Sequence, residues 1–188
     1  MNVEKRHIIK TDNLPQRKHP RLKGYDYSEN GYYFITICTD NMKCYFGSVG
    51  RGLAPAASNE EYAKVFEIFK VKLSVYGKIA DTQIEQLVFR YPFICIENYV
   101  IMPNHIHILL SLNEKSAGAC PRPTIMDIIC SFKSITTRLC NQVSNISGRK
   151  IFQTSFYEKI IRNEKSLQNA WQYIDENPRK WKNDQYYK

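Results

Sequence analysis

A chain of 188 residues can bury the core of one domain, and its 27 Lys and Arg against 18 Asp and Glu give a formal net charge of +9, a field that favours a polyanion over acidic or neutral partners. No run approaches the roughly 18 apolar residues of a spanning helix, and the N-terminus is polar without an apolar signal region. The expectation is a cytoplasmic protein with no membrane segment. The six cysteines (Cys38, Cys44, Cys95, Cys120, Cys130 and Cys140) form no Cys-x-x-Cys pair, which argues against a zinc ribbon or a disulfide framework.

In chain order, residues 1–23 are predicted to be a basic N-terminal arm and residues 24–188 a single folded domain. The arm sets Lys5, Arg6, Lys10, Arg17, Lys18, Arg21 and Lys23 against Glu4 and Asp12, a net of +5, and Pro15 and Pro20 favour an extended chain. The aromatic and β-branched run Gly31 to Thr39 is predicted as a strand. Gly47 to Ser58, with Gly50, Gly52, Pro55 and three alanines, is expected to be a loop leaving the body of the domain. Tyr62 to Val75 drifts from helical spacing towards alternation, which suits a strand near its end.

Ile79 to Phe89 places Ile79, Ala80, Gln83, Ile84, Leu87 and Val88 on one helical face, and Tyr91-Pro92 stops it. Phe93–Met102 and His105–Leu112 read as two strands joined by a tight Pro103-Asn104 connection, followed by a flexible segment from Asn113 to Pro123. Thr124 is a plausible N-cap, with Asp127 as its capping-box carboxylate. The helix it opens runs to about Asn141, burying Ile125, Ile128, Ile129, Phe132, Ile135 and Leu139. Ile151 to Tyr157 is short and extended. A last helix spans about Ser166 to Glu176 and is expected to stop at Asn177-Pro178. This order matches an α+β, ferredoxin-like or RRM-like fold: an antiparallel sheet with helices on one face, plus a C-terminal helix.

Within the second strand of the hairpin, His105 and His107 are two residues apart and share a face, while Ile106 and Ile108 point the other way. Two residues of strand advance about 6–7 Å, close enough for both imidazoles to meet one divalent ion. An ordinary hydrogen-bonded histidine pair is the competing reading. On the last helix Tyr173 and Asn177 are one turn apart. A phenol, with an unperturbed pKa of about 10, becomes a useful nucleophile when a metal polarises a phosphate held in line. Asn177 could complete the ion's shell through its side-chain carbonyl; a packed tyrosine and a C-cap asparagine are the alternative. Arg17, Lys18, Arg21, Lys23, Lys133 and Arg162 are candidate DNA-binding residues, and 13 tyrosines offer faces for unpaired bases.

Met102-Pro103-Asn104-His105-Ile106-His107, followed by Tyr173-Ile174-Asp175-Glu176-Asn177-Pro178, resembles the HUH single-tyrosine (IS200-like) transposases, most closely the REP-associated tyrosine transposases. Arg21 to Tyr27 with Gly31 to Thr36 resembles that family's opening, Phe132-Lys133-Ser134 its middle helix, and Phe156 to Asn163 the approach to its tyrosine helix. The resemblance implies His105 and His107 as metal ligands for Mg²⁺ or Mn²⁺, Tyr173 as nucleophile and Asn177 as a further ligand. It also implies nicking and rejoining of single-stranded DNA through a 5′-phosphotyrosine, beside a recognised DNA hairpin in a mobile or repeated element.

Two departures stand out. Phe152-Gln153-Thr154 replaces the family's common Trp-Gln-Arg, and Lys159 stands where members commonly have His. Relatives place the tyrosine beside the histidines of its own chain or across a homodimer, and both arrangements stay open. The rival function is a non-catalytic single-stranded nucleic-acid-binding module, a degenerated transposase that retains the sheet and the charge.

Overall fold

The structure, a computed structural model, describes residues 22–52, 68–113 and 122–187. Most of the basic arm, including Arg17, Lys18 and Arg21, lies outside the described residues, as do the segments 53–67 and 114–121.

A four-stranded antiparallel sheet organises the domain. Its strands are β1 (Gly31–Cys38), β4 (Ile94–Ile101), β5 (His105–Leu112) and β6 (Tyr157–Ile161), in the order β4-β5-β1-β6. Strand β5 thus sits between two strands that precede it in sequence, the split βαβ arrangement of a ferredoxin-like α+β fold. The remaining strands, β2 (Gly47–Gly52) and β3 (Ile68–Leu73), form a separate antiparallel pair inserted between β1 and the first helix. The expected loop therefore begins as a strand. Its glycines are a poor strand signal, and the pairing comes from a partner about twenty residues on.

Alternation along the central strands divides the side chains between two faces. Tyr33, Ile35 and Ile37 of β1 and Ile106, Ile108, Leu110 and Leu112 of β5 are buried in the main core. They pack there with Ala80 and Ile84 of α1 (Val75–Glu85), Leu87 of α2 (Leu87–Arg90), and Ile125, Ile128, Ile129 and Phe132 of α3 (Ile125–Val143). The opposite face carries α4 (Glu164–Lys180), whose Ala170 and Ile174 form a smaller cluster with Leu109 and Ile161. Leu167, Ala170, Ile174 and Asn177 recur at helical spacing on the sheet-facing side of α4.

Several boundaries differ from expectation. The first helix starts at Val75, four residues early, because the Ser74 hydroxyl caps it by accepting from the Gly77 N–H. Gly77 is required there: a Cβ would approach the Phe46 carbonyl oxygen to 2.1 Å. The capping box of Thr124 and Asp127 forms as expected, and α3 runs two residues past Asn141. Ile151–Tyr157 is not the last strand; only Phe152 makes an isolated bridge, to Thr39, and the strand follows at Tyr157–Ile161. The burial of Ile151, Phe152 and Phe156 explains the apolar signal of that segment without strand pairing. Finally, α4 continues through Pro178 to Lys180. Proline's own φ is helical, and burial of Asn177 and Trp181 on either side outweighs the local bias against helix before proline.

Candidate active site

The tight connection between β4 and β5 fixes the start of the histidine strand. Met102 N–H donates to the His105 carbonyl at 2.8 Å, Phe46 N–H to the Pro103 carbonyl at 3.0 Å, and both Thr39 N–H and the Thr39 hydroxyl to the Asn104 carbonyl at 2.9 Å. Beyond it, His105 and His107 point to the α4 face with ring centroids 4.6 Å apart, and both are fully buried. Ile106 and Ile108 occupy the other face, as the alternation requires.

One nitrogen of each imidazole is engaged and the other is not. His105 Nδ1 is 2.9 Å from Asn104 Oδ1. The Asn104 amide nitrogen already donates to the carbonyls of Met42 and Tyr186, so its oxygen is the acceptor and the proton sits on His105 Nδ1. His107 Nδ1 shares a 2.9 Å hydrogen bond with Thr36 Oγ1. Nε2 of both rings is buried without a partner. Burial pushes His105 down to about 4, against opposing pulls from Asp184 and Asn177, and burial with the neighbouring His105 holds His107 well below the usual histidine range. Burial thus favours the neutral form of both rings, and His105, with its proton on Nδ1, keeps a lone pair on Nε2. Buried polar atoms are seldom left unsatisfied, and two converging imidazole nitrogens suit a divalent metal.

A third group joins them. A carboxylate oxygen of Asp184 and the ligand nitrogens of His105 and His107 lie within 4.8 Å of one another. Asp184 belongs to the segment after α4, where a short 3-10 turn (Trp181–Asn183) leads the chain back over the histidines. Tyr186 covers His105 with ring centroids 4.6 Å apart. Asp184 was not among the sequence-derived candidates: an isolated acid in a polar tail has no pattern, and its proximity exists only in the folded chain.

Tyr173 stands beside the pair, edge-on to His107 at 5.1 Å between centroids and to Phe34 at 5.9 Å. It is 38% exposed, so its ring is packed while its edge meets solvent. Burial first and then the Asp184 carboxylate raise its phenol, and the Asn177 amide opposes them. Asn177 is buried one turn on; its amide nitrogen donates to Asp184 Oδ2 at 2.9 Å, and its Oδ1 has no partner. Asn177 is thus an interior residue of α4 rather than a C-cap. A cavity of about 410 Å³ opens beside His107 and Tyr173, lined also by Thr36, Tyr157, Lys159 and Tyr186.

The basic candidates are dispersed. Lys23 and Arg162 are exposed, the latter just before Asn163, which caps α4 by accepting from the Ser166 N–H. Lys133 lies on α3, across the sheet from the histidines, and its ammonium donates to the carbonyls of Gln153, Thr154 and Ser155 at 2.7, 2.9 and 3.3 Å. Those contacts tie the ammonium to the backbone of the segment before the last strand.

A buried histidine pair on the central strand, facing a tyrosine on the helix that crosses the sheet, is accompanied by a family match. Residues 82–177 match the IS200-like transposases, and the chain belongs to that family. The matched stretch holds His105, His107, Tyr173 and Asn177 and stops short of Asp184. A Haemophilus influenzae (strain Rd) protein of uncharacterised function is 32% identical over 93% of this chain and 94% of its own length. A second protein of that strain, named provisionally as a REP-associated tyrosine transposase, is 27% identical over 81% of this chain and 73% of its own length. A solved structure of a REP-associated tyrosine transposase bound to a REP hairpin has 18% identity and a TM-score of 0.48, covering 86% of this chain and 73% of that one.

Proposed function

We propose that this protein nicks and rejoins single-stranded DNA through Tyr173, with a divalent metal, Mg²⁺ or Mn²⁺, held by His105, His107 and Asn177. The observation that carries the reading is the juxtaposition of three features: two buried imidazole Nε2 atoms without partners, the equally unpartnered Asn177 Oδ1, and a half-exposed tyrosine 5.1 Å from His107 in the cavity that His107 lines. The bound ion would supply positive charge to a scissile phosphate.

In the proposed reaction the Tyr173 oxygen attacks the phosphorus, the bond from phosphorus to the 3′ oxygen breaks, and the DNA leaves a free 3′-OH and a 5′-phosphotyrosine. The phenolic proton is released to solvent or to the departing oxygen. Attack by a 3′-OH on the phosphotyrosine reverses the sequence, so rejoining needs no nucleotide cofactor. At neutral pH the phenol starts protonated, since burial and Asp184 raise it. The packing of its ring between Phe34 and His107 keeps it oriented toward the cavity.

The partner we assign is DNA carrying a hairpin, from a mobile or repeated element, bound where the chromosome lies. The +9 charge favours it, and one relative's name associates that relative with REP elements. The arm, with Arg17, Lys18, Arg21 and Lys23, and the exposed Arg162 are the proposed phosphate contacts. The test is incubation with labelled hairpin-bearing single-stranded DNA and Mn²⁺, followed by denaturing electrophoresis. A covalent protein–DNA adduct that vanishes with a chelator and in Tyr173→Phe is expected. Tight, salt-sensitive binding of the same DNA with no adduct would favour the degenerated binding module instead.

A further inference from the structure

Asp184 sits seven residues beyond the end of the family match, yet it is built into the site from several sides. Its Oδ2 accepts from the Asn177 amide at 2.9 Å and its Oδ1 from the Tyr186 N–H at 2.7 Å. The segment bearing it is fastened by buried Trp181, whose ring lies 5.9 Å from His105. Asn104 adds a second fastening by donating to the Tyr186 carbonyl at 2.7 Å. That same Asn104 orients His105, so one buried side chain fixes both a histidine and the tail that carries the acid.

The outcome is a carboxylate facing two buried imidazoles whose Nε2 atoms have no hydrogen-bond partner, that of His105 an acceptor because its proton lies on Nδ1. Crowding a half-buried carboxylate against two buried imidazole nitrogens that lack partners is unfavourable unless a donor or a cation lies among them. The two hydrogen bonds to Asp184 leave lone pairs on both carboxylate oxygens.

We propose that Asp184 is itself a metal ligand, completing a set of two histidines and one carboxylate with Asn177 alongside. This rests on the reading of His105 and His107 as the metal pair. An anionic oxygen beside two imidazoles compensates part of the ion's charge and moves the preference toward hard ions such as Mn²⁺ and Mg²⁺. It also makes metal binding depend on the segment after α4.

The test is calorimetric titration of the full-length protein with Mn²⁺, without DNA, in wild type, Asp184→Asn, Asp184→Glu and a His105→Ala/His107→Ala double variant. Asp184→Asn keeps shape and an acceptor for the Tyr186 N–H but loses the charge. At least about tenfold weaker binding is expected, with part of it recovered in Asp184→Glu and none left in the double variant. The visible absorption of the Co²⁺-loaded protein should change in Asp184→Asn, and Asp184→Ser repeats the comparison should the amide variant fold poorly. Mn²⁺ binding by Asp184→Asn and Asp184→Ser as tight as wild type, with the double variant inactive in binding, would remove Asp184 from the ligand set and leave the histidine site standing. Absence of saturable Mn²⁺ binding in wild type would overturn both readings.

Discussion

Thr36 and His107 are direct register partners across β1 and β5, and their side chains share a hydrogen bond of 2.9 Å in the buried layer beneath Tyr173. The bond occupies Nδ1 and turns Nε2 toward the cavity. Thr36→Val keeps the volume and removes the partner. We expect Mn²⁺ affinity to fall by about tenfold or more while the fold persists; calorimetry that finds wild-type affinity would deny Thr36 this orienting role.

Tyr173→Phe removes one oxygen and keeps the ring contacts with Phe34 and His107. Adduct formation on hairpin DNA should drop below detection, with melting temperature and Mn²⁺ affinity close to wild type. A persisting adduct would point to another nucleophile, and persistence of cleavage without adduct to activated water.

The tyrosine and the histidines meet within one chain, because α4 docks on its own sheet through Ala170, Ile174, Leu109 and Ile161. Mixing a His105→Ala chain with a Tyr173→Phe chain should therefore restore no cleavage. Recovery of activity on mixing would require a site shared between two chains.

Acidification should destabilise the metal-free fold. His105 titrates near 4 in the folded chain, below its ordinary 6.5, and His107 is also depressed, chiefly by burial. The unfolded chain thus takes up protons first as pH falls. Stability from the neutral pair is fully present above about 6.5 and is lost progressively toward 4, on the order of 3 kcal/mol for His105 alone. Melting in chelator between pH 7.5 and 4.5 should show this decline, and replacing both histidines with asparagine should flatten it. A wild-type midpoint that does not move would be inconsistent with buried neutral imidazoles.

Deleting residues 1–23 should weaken hairpin binding and reduce the slope of log affinity against log salt, in proportion to the phosphates the arm neutralises. Lys133→Met should act differently. It frees the carbonyls of Gln153, Thr154 and Ser155, so melting temperature should fall while the salt slope holds. A reduced slope in Lys133→Met would return that residue to the DNA-binding surface.

The histidine strand was readable in the residues because a period of two assigns Ile106 and Ile108 to one face and the imidazoles to the other, and the capping box because Thr124 and Asp127 interact locally. Signals that depend on distant partners were not readable. Gly47–Gly52 becomes a strand only because Ile68–Leu73 lies beside it. The edge strand Tyr157–Ile161 carries Glu158 and Lys159, while the more apolar Ile151–Phe156 belongs to a packed loop, so hydrophobicity pointed to the wrong half of that segment. Pro178 looked like a helix stop, since local preference does not register the burial of Asn177 and Trp181 around it. Asp184 reaches the site through the path of the tail.

Every residue of β5 is buried, on one side or the other, along all eight positions of the strand, whereas α4 buries only Ala170, Ile174 and Asn177 of its seventeen. The proposed site thus joins two parts of unequal anchorage. Opening β5 means opening the whole domain, but α4 can part from the sheet by giving up its own small cluster. Amide protons of β5 should be the slowest in the protein to exchange with solvent, and those of the helix carrying Tyr173 distinctly faster. A strand of DNA attached to that tyrosine would hang from the movable part, while the imidazoles stay in the fixed one.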